Sequence, residues 1–287
     1  MVKPTRMSGM GLLLFATATL LGACGGGAVQ EAAVREATVQ WSSLGDVPDS
    51  AWASLGARRI FFGHQSVGAN IMEGVAGLAA AEPRPGLRVV TDPGALDAGG
   101  AFLHGPVGRN QDPGAKTDDF AARVEGPLAG RLDVAFHKYC YVDVNAATDV
   151  PALFERYRRT MERLTAAHPG VTFVHVTVPL VTVPAGTTAS LKRMLGRTPG
   201  RATDNLARQR FNELMRGAYA GREPLFDLAA IESTRPDGSR ETFGSGADRA
   251  YALVPAYASD GSHLNEAGRR RVAEELLVFL ARLPASR

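Results

Sequence analysis

Two short groups of residues in this chain could, if brought together, run nucleophilic chemistry. The first is "GHQSVG", residues 63–68, where Ser66 stands between an apolar run and a helical pattern. The second is "DGSHLNEAG", residues 260–268, where Asp260 and His263 are three apart. A serine hydroxyl is a weak nucleophile until an adjacent base removes its proton. An Asp-x-x-His just ahead of a helix sets a carboxylate and an imidazole on one turn. The carboxylate can then accept the Nδ1–H and leave Nε2 facing outward as the base. Cys140, behind another apolar run, is a rival nucleophile that His263 would have to reach. Each group also has an ordinary reading, with Ser66 as a helix cap and Asp260 and His263 as a turn-and-cap pair.

The elements that must position these residues alternate along the chain. Nearly continuous apolar runs at 58–62, 87–91, within 132–144, at 171–183 and at 224–233 read as five strands. Helical patterns at 66–81, 117–128, 149–168, 203–221 and 265–283 separate or follow them. Val67, Ile71, Val75 and Leu78 share one face of the first pattern. Thr117 or Asp118 caps the second, Asp149 the third, and Gly221 stops the fourth. Residues 92–114, rich in Gly, Pro, Asp and Asn, read as one long loop, and loops of that length are usually functional or disordered. Apolar strands alternating with helices predict a parallel sheet covered on both faces. Ligands of such sheets bind beyond the carboxyl ends of the strands. Ser66 lies there.

"GHQSVG" and "DGSHLNEAG" together resemble the SGNH/GDSL hydrolase superfamily over roughly residues 55–283. In that family a serine follows the first strand and an Asp-x-x-His precedes the last helix. "GHQSVG" is closer to the Gly-Gln-Ser variant of carbohydrate esterase-like members than to Gly-Asp-Ser. The resemblance implies a three-layer α/β/α sandwich with a five-stranded parallel sheet, SGNH hydrolase-like and flavodoxin-like. It implies a serine esterase acting on small acyl esters of the O-acetyl type, carried on carbohydrate. Ser66 would be the nucleophile, His263 the base and then the acid, and Asp260 the orienting carboxylate. The family's oxyanion hole would use the Ser66 N–H and a glycine after the second strand, Gly108 first and Gly105 second, with Asn110 beside it. The family's Gly-x-Asn-Asp block has no counterpart in "HKYCYVDVN", residues 137–145, where Asn145 comes late. Lys138, Tyr139, Asn145 or Asn110 stand as replacement donors. Lys138 and Asp143 could equally form an ion pair. His64 either meets substrate or is packed, and Arg109 either binds an acidic sugar or is exposed. Arg208 and Asn212, four apart on one helix face, bond to each other or to a nearby loop. The same fold would also serve a non-catalytic glycan-binding lipoprotein or an O-acyltransferase.

His104, His137 and His175 lack metal-ligand spacing, so no metal and no cofactor are expected. A net charge of +3 without a dense Lys/Arg block argues against nucleic acid. Lys3 and Arg6 precede an apolar run, residues 9–23, that ends in "LLGAC", residues 20–24. This stretch resembles the lipobox of bacterial lipoproteins. The expectation is a signal peptide over 1–23, a lipidated Cys24, a flexible tether over 24–50 and the hydrolase-like domain over 51–287. The protein would then be a monomer lipid-anchored in the cell envelope, at the outer membrane or periplasmic face. Once Cys24 is lipidated, Cys140 has no partner for an intramolecular disulfide.

Overall fold

The computed structural model describes residues 41–81, 86–184, 200–244 and 249–284. Cys24 and the stretch read as signal peptide and lipidation site lie outside the described residues. The packed chain begins earlier than residue 51. A short 3₁₀ turn over Leu44–Asp46 leads into α1, Asp49–Gly56. Val47, Trp52 and Leu55 are buried in the same core as the sheet, so residues 41–50 belong to the fold and not to a tether.

The elements run α1, β1 (Arg59–His64), α2 (Val67–Ala81), β2 (Val89–Val90), β3 (Ala101–Pro106), α3 (Pro113–Glu125), β4 (Val134–His137), α4 (Val150–Ala167), β5 (Thr172–Val176), α5 (Gly200–Tyr219), β6 (Leu225–Phe226), α6 (Leu228–Glu232), β7 (Thr242–Phe243), β8 (Ala250–Tyr251) and α7 (Glu266–Arg282). Six strands form one sheet in the order β2-β3-β1-β4-β5-β6, all neighbours parallel. β7 and β8 make a small antiparallel pair. Alternation along β1 decides the layers. Phe62 faces one core with Val67, Ile71 and Val75 of α2 and Val272 and Leu276 of α7. Phe61 faces the other with Phe120 of α3, Tyr157 of α4 and Phe211 of α5. This is the expected α/β/α sandwich, with six strands where five were predicted.

The extra strand is β3, in the middle of what reads as a loop. It pairs with β1 along its whole length, from Arg59↔Ala101 to His64↔Pro106. The predicted second strand is reduced to the two-residue edge strand β2. α3 starts at Pro113, capped by Asp112, whose carboxylate accepts from Ala115 N at 2.9 Å, and not at Thr117 or Asp118. The predicted strand over 224–233 breaks after Phe226, because Asp227 caps α6 by accepting from Ala230 N. The strand predicted to run to residue 183 ends at Val176, just ahead of Pro179. The chain beyond is held by side chains instead. Asn212 bonds both backbone groups of Val178, and Asn205 both of Val181.

Candidate functional site

β1 delivers Ser66 two residues past its end, at the head of α2. Ser66 has φ 50°, a left-handed backbone that non-glycine residues seldom adopt. The glycines around it permit the sharp turn. A Cβ on Gly63 would meet the Val107 side chain at 2.7 Å, and one on Gly68 would meet the His64 Cβ at 2.3 Å. The Ser66 side chain does not cap α2. Its Oγ lies 2.7 Å from His263 Nε2.

His263 sits on a tight turn closed by an Ala258↔Leu264 bridge and by Ser259 N donating to His263 O. Gly261 turns it with φ 85°. Asp260 Oδ1 accepts from the backbone N–H groups of Ser262 and His263, each at 2.8 Å. Its Oδ2 lies 2.7 Å from His263 Nδ1. The backbone N–H of His263, then its imidazole, hold the Asp260 carboxyl far below the usual carboxylate range. The turn is tied down twice. Thr182 N donates to Gly261 O, linking it to the chain after β5. Leu264 N donates to Asn70 Oδ1, linking it to α2. Asn265 caps α7 by accepting from Gly268 N, and a Cβ on Gly268 would meet Tyr257 O at 2.5 Å. Those two contacts account for the Asn-x-x-Gly that follows the histidine. The site is open: the side chains of His263 and Asp260 are 35% and 57% exposed. Tyr141 stands with its ring edge-on to His263, centroids 5.6 Å apart.

The predicted oxyanion and substrate residues fare differently. Gly108 lies just beyond β3, at φ 53°, with Lys116 N only 2.5 Å from where a Cβ would be. Its N–H is taken by Asp119 Oδ2 at 2.8 Å, so it serves the packing of the loop against α3. Gly105 is inside β3, opposite Gly63. Asn110 is at the loop surface with its Oδ1 accepting from Lys116 Nζ. Asn145 closes a turn before α4, accepting from Ala147 N and donating its own N–H to Thr148. Lys138 is buried and cannot reach substrate; its Nζ donates to Gln65 O and Tyr139 O, each at 3.2 Å. Tyr139 is buried too, with its hydroxyl 2.6 Å from Thr117 Oγ1. His64 is packed, tilted against Phe62 and stacked on His104, with Nε2 2.9 Å from His104 Nδ1, and burial pushes it down to about 3. The Ser66 N–H donates to no acceptor among the described residues. It lies at the start of α2, where helix N–H groups lack intrahelical partners.

Asp143 pairs with Lys116 and not with Lys138. Both partners are fully buried. Asp143 also accepts from Gln111 N at 2.8 Å and Cys140 N at 2.5 Å, so one carboxylate joins the loops after β3 and β4 beneath the site. Lys116 was legible as a buried cation, since it shares a helix face with Phe120 and Val124 at four-residue spacing. Arg208 is buried and donates to Tyr141 O and Val144 O, holding the loop that carries Tyr141. Arg208 and Asn212 therefore bond to loops and not to each other. Arg109 is exposed and paired with Asp112. Cys140 is buried at the head of a 3₁₀ turn, and it is Ser66 whose side chain meets His263. Among the described residues no group of three or more His, Cys, Asp or Glu could hold a metal ion. Among them no helix is long and apolar enough to cross a membrane.

No protein-family model and no curated protein matches the chain. Among solved structures it is similar to a GDSL-like lipase from Bacteroides thetaiotaomicron, with 13% identity and TM-score 0.44 over 78% of this chain and 86% of that one. It is similar to an acetyl xylan esterase, with 17% identity and TM-score 0.42 over 76% and 97% of the two chains. It is similar to a lipase/acylhydrolase from Enterococcus faecalis, with 15% identity and TM-score 0.42 over 77% and 93%. These likenesses carry no argument about chemistry, which rests on the site's own distances.

Proposed function

We propose that the protein is a serine esterase that removes small acyl groups of the O-acetyl type from carbohydrate, anchored in the cell envelope through Cys24. The observation that carries the esterase reading is the continuous chain Ser66 Oγ–His263 Nε2 and His263 Nδ1–Asp260 Oδ2, both at 2.7 Å, with Ser66 and His263 197 apart in sequence. Ser66 Oγ attacks the ester carbonyl as His263 Nε2 takes its proton. The oxyanion of the tetrahedral intermediate accepts from the Ser66 N–H. The intermediate collapses, the C–O bond to the alcohol breaks, and His263 returns the proton to the departing alkoxide. Water, deprotonated by His263, then attacks the acyl-serine; the acid leaves and Ser66 Oγ regains its proton. Asp260, held ionised, keeps the imidazole in the tautomer that has a free Nε2. The exposure of His263 and Asp260 supports an ester borne on a large polar alcohol, which needs no deep acyl tunnel.

The test is acetate release from p-nitrophenyl acetate and from acetylated xylan by the full-length chain in detergent, beside Ser66→Ala. Turnover that disappears in a Ser66→Ala protein of unchanged circular dichroism supports the reading. Equal turnover in both overturns it. One observation favours a non-catalytic glycan-binding protein: the Gly108 N–H is taken by Asp119 and Asn145 is folded into the turn before α4, which leaves the oxyanion two donors short of the family pattern. Such a protein would bind acetylated xylan equally well in its native and Ser66→Ala forms, and release acetate in neither. Transfer shares the acyl-enzyme, and an added sugar acceptor that gains the acetyl group identifies it. The anchor is tested by labelled palmitate, incorporated by the native chain and not by Cys24→Ala.

A further inference from the structure

Lys138 is a buried lysine in no direct ion pair, although the Asp143 and Glu232 carboxyls lie close enough to act on its charge. Its side chain is hydrogen-bonded to two carbonyls, Gln65 O and Tyr139 O, and no carboxylate pairs with it among the described residues. A buried cation whose hydrogen bonds all go to carbonyls is an expensive way to support a fold. An apolar side chain of similar volume often serves better. The position of one of those carbonyls suggests what the cation does. Gln65 O and Ser66 N belong to the same peptide group. Gln65 O also accepts from Gly68 N at 3.0 Å, so that carbonyl draws on two donors. Donors on the carbonyl of a peptide polarise its N–H and make it a stronger donor.

Building on the esterase reading above, we propose that Lys138 is a positioning residue that strengthens the Ser66 N–H as an oxyanion donor, acting through the Gln65–Ser66 peptide. It stands for the donor that the loop after β4 does not supply. Lys138 never touches substrate. Its ammonium donates to Gln65 O, the peptide is polarised, and the Ser66 N–H meets the oxyanion with a larger partial charge. The Gln65 side chain fixes the same peptide from the other end, donating to Val107 O and Gly108 O at 3.3 and 2.8 Å. The effect grows as charge develops on the oxygen, so it lowers the barrier more than it tightens substrate binding.

The experiment compares the full-length native chain with Lys138→Met, Lys138→Gln and Ser66→Ala on p-nitrophenyl acetate, with melting temperature read for each. Lys138→Met is expected to lower kcat about tenfold, less than the roughly 10²–10³ of a donor removed outright. Its KM is expected to stay within about twofold, and its melting temperature to match or exceed the native one. Lys138→Gln keeps a neutral N–H donor for Gln65 O and is expected to fall between the two. A purely structural lysine would lose kcat and melting temperature together, and that result overturns the proposal. So does a kcat within about twofold of native in a folded Lys138→Met while Ser66→Ala is dead. If Lys138→Met does not fold, Lys138→Gln decides by the same criteria. Turnover that survives Ser66→Ala removes the esterase reading itself, which separates the two failures.

Discussion

Ser66 combines a functional contact with backbone strain. Its left-handed φ of 50° costs about 1 kcal/mol or more for a residue with a Cβ. That cost aims Oγ at His263 while leaving the Ser66 N–H free. Ser66→Gly is therefore expected to melt higher than the native protein by the equivalent of about 1 kcal/mol, while releasing no acetate. Ser66→Ala is equally inactive without that gain, and differential scanning calorimetry of the pair reads the difference. Asp260 works through hydrogen bonds from two backbone N–H groups and one imidazole, so its replacement loses both charge and turn geometry. Asp260→Asn is expected to lower kcat by about 10²–10⁴ with little change in KM. A kcat within about fivefold of native would show that the imidazole needs no carboxylate here. These residues were legible in the sequence because the chemistry restricts their side-chain types and the family resemblance fixes their order along the chain. The donors were less so, because a backbone N–H leaves no mark in a sequence.

At the scale of elements, the helices were readable and the sheet only partly. α2, α4 and α7 carry apolar residues at helical spacing, and α4 and α7 also start at side-chain caps, Asp149 and Asn265, so local signals and packing agree. β3 was missed because its six residues lie between Gly99-Gly100 and Val107, inside a stretch whose overall composition reads as loop. Its partner β1 supplies what its own sequence lacks, a full parallel register. The loop after β3 matters because Asp143 and Lys116 hold it against the loop after β4. Removing one member of a buried pair leaves the other charge uncompensated, which costs about 3–5 kcal/mol. Lys116→Met is expected to lose that much in urea denaturation, with kcat reduced as the two loops part. Arg109→Ala removes only an exposed pair in the same loop and is expected to shift stability by less than about 1 kcal/mol.

At the scale of the whole molecule, the two cores carry histidines that fold in the neutral form. Burial, with nearby lysine charge, pushes His64 and His137 down to about 3 each. His137 sits between Phe120, Tyr139 and Tyr157, and neither ring nitrogen has a partner among the described residues. A depressed histidine binds its proton in the unfolded chain before the folded one. The stability it leaves intact above about 6.5 is therefore lost progressively as pH falls toward 3. Glu232 acts in the opposite sense: burial raises its carboxyl to about 8, so its contribution declines as pH rises from the ordinary glutamate range to 8. The two effects confine maximal stability from both sides, and the acid side can be assigned by substitution. His137→Leu removes one titrating group and fills a site that makes no hydrogen bond. Its melting temperature is expected to lie close to native at about pH 7.5 and to rise above native by a margin that widens between about pH 6.5 and 4. A constant difference across that range would mean that His137 takes up its proton without unfolding the core around it.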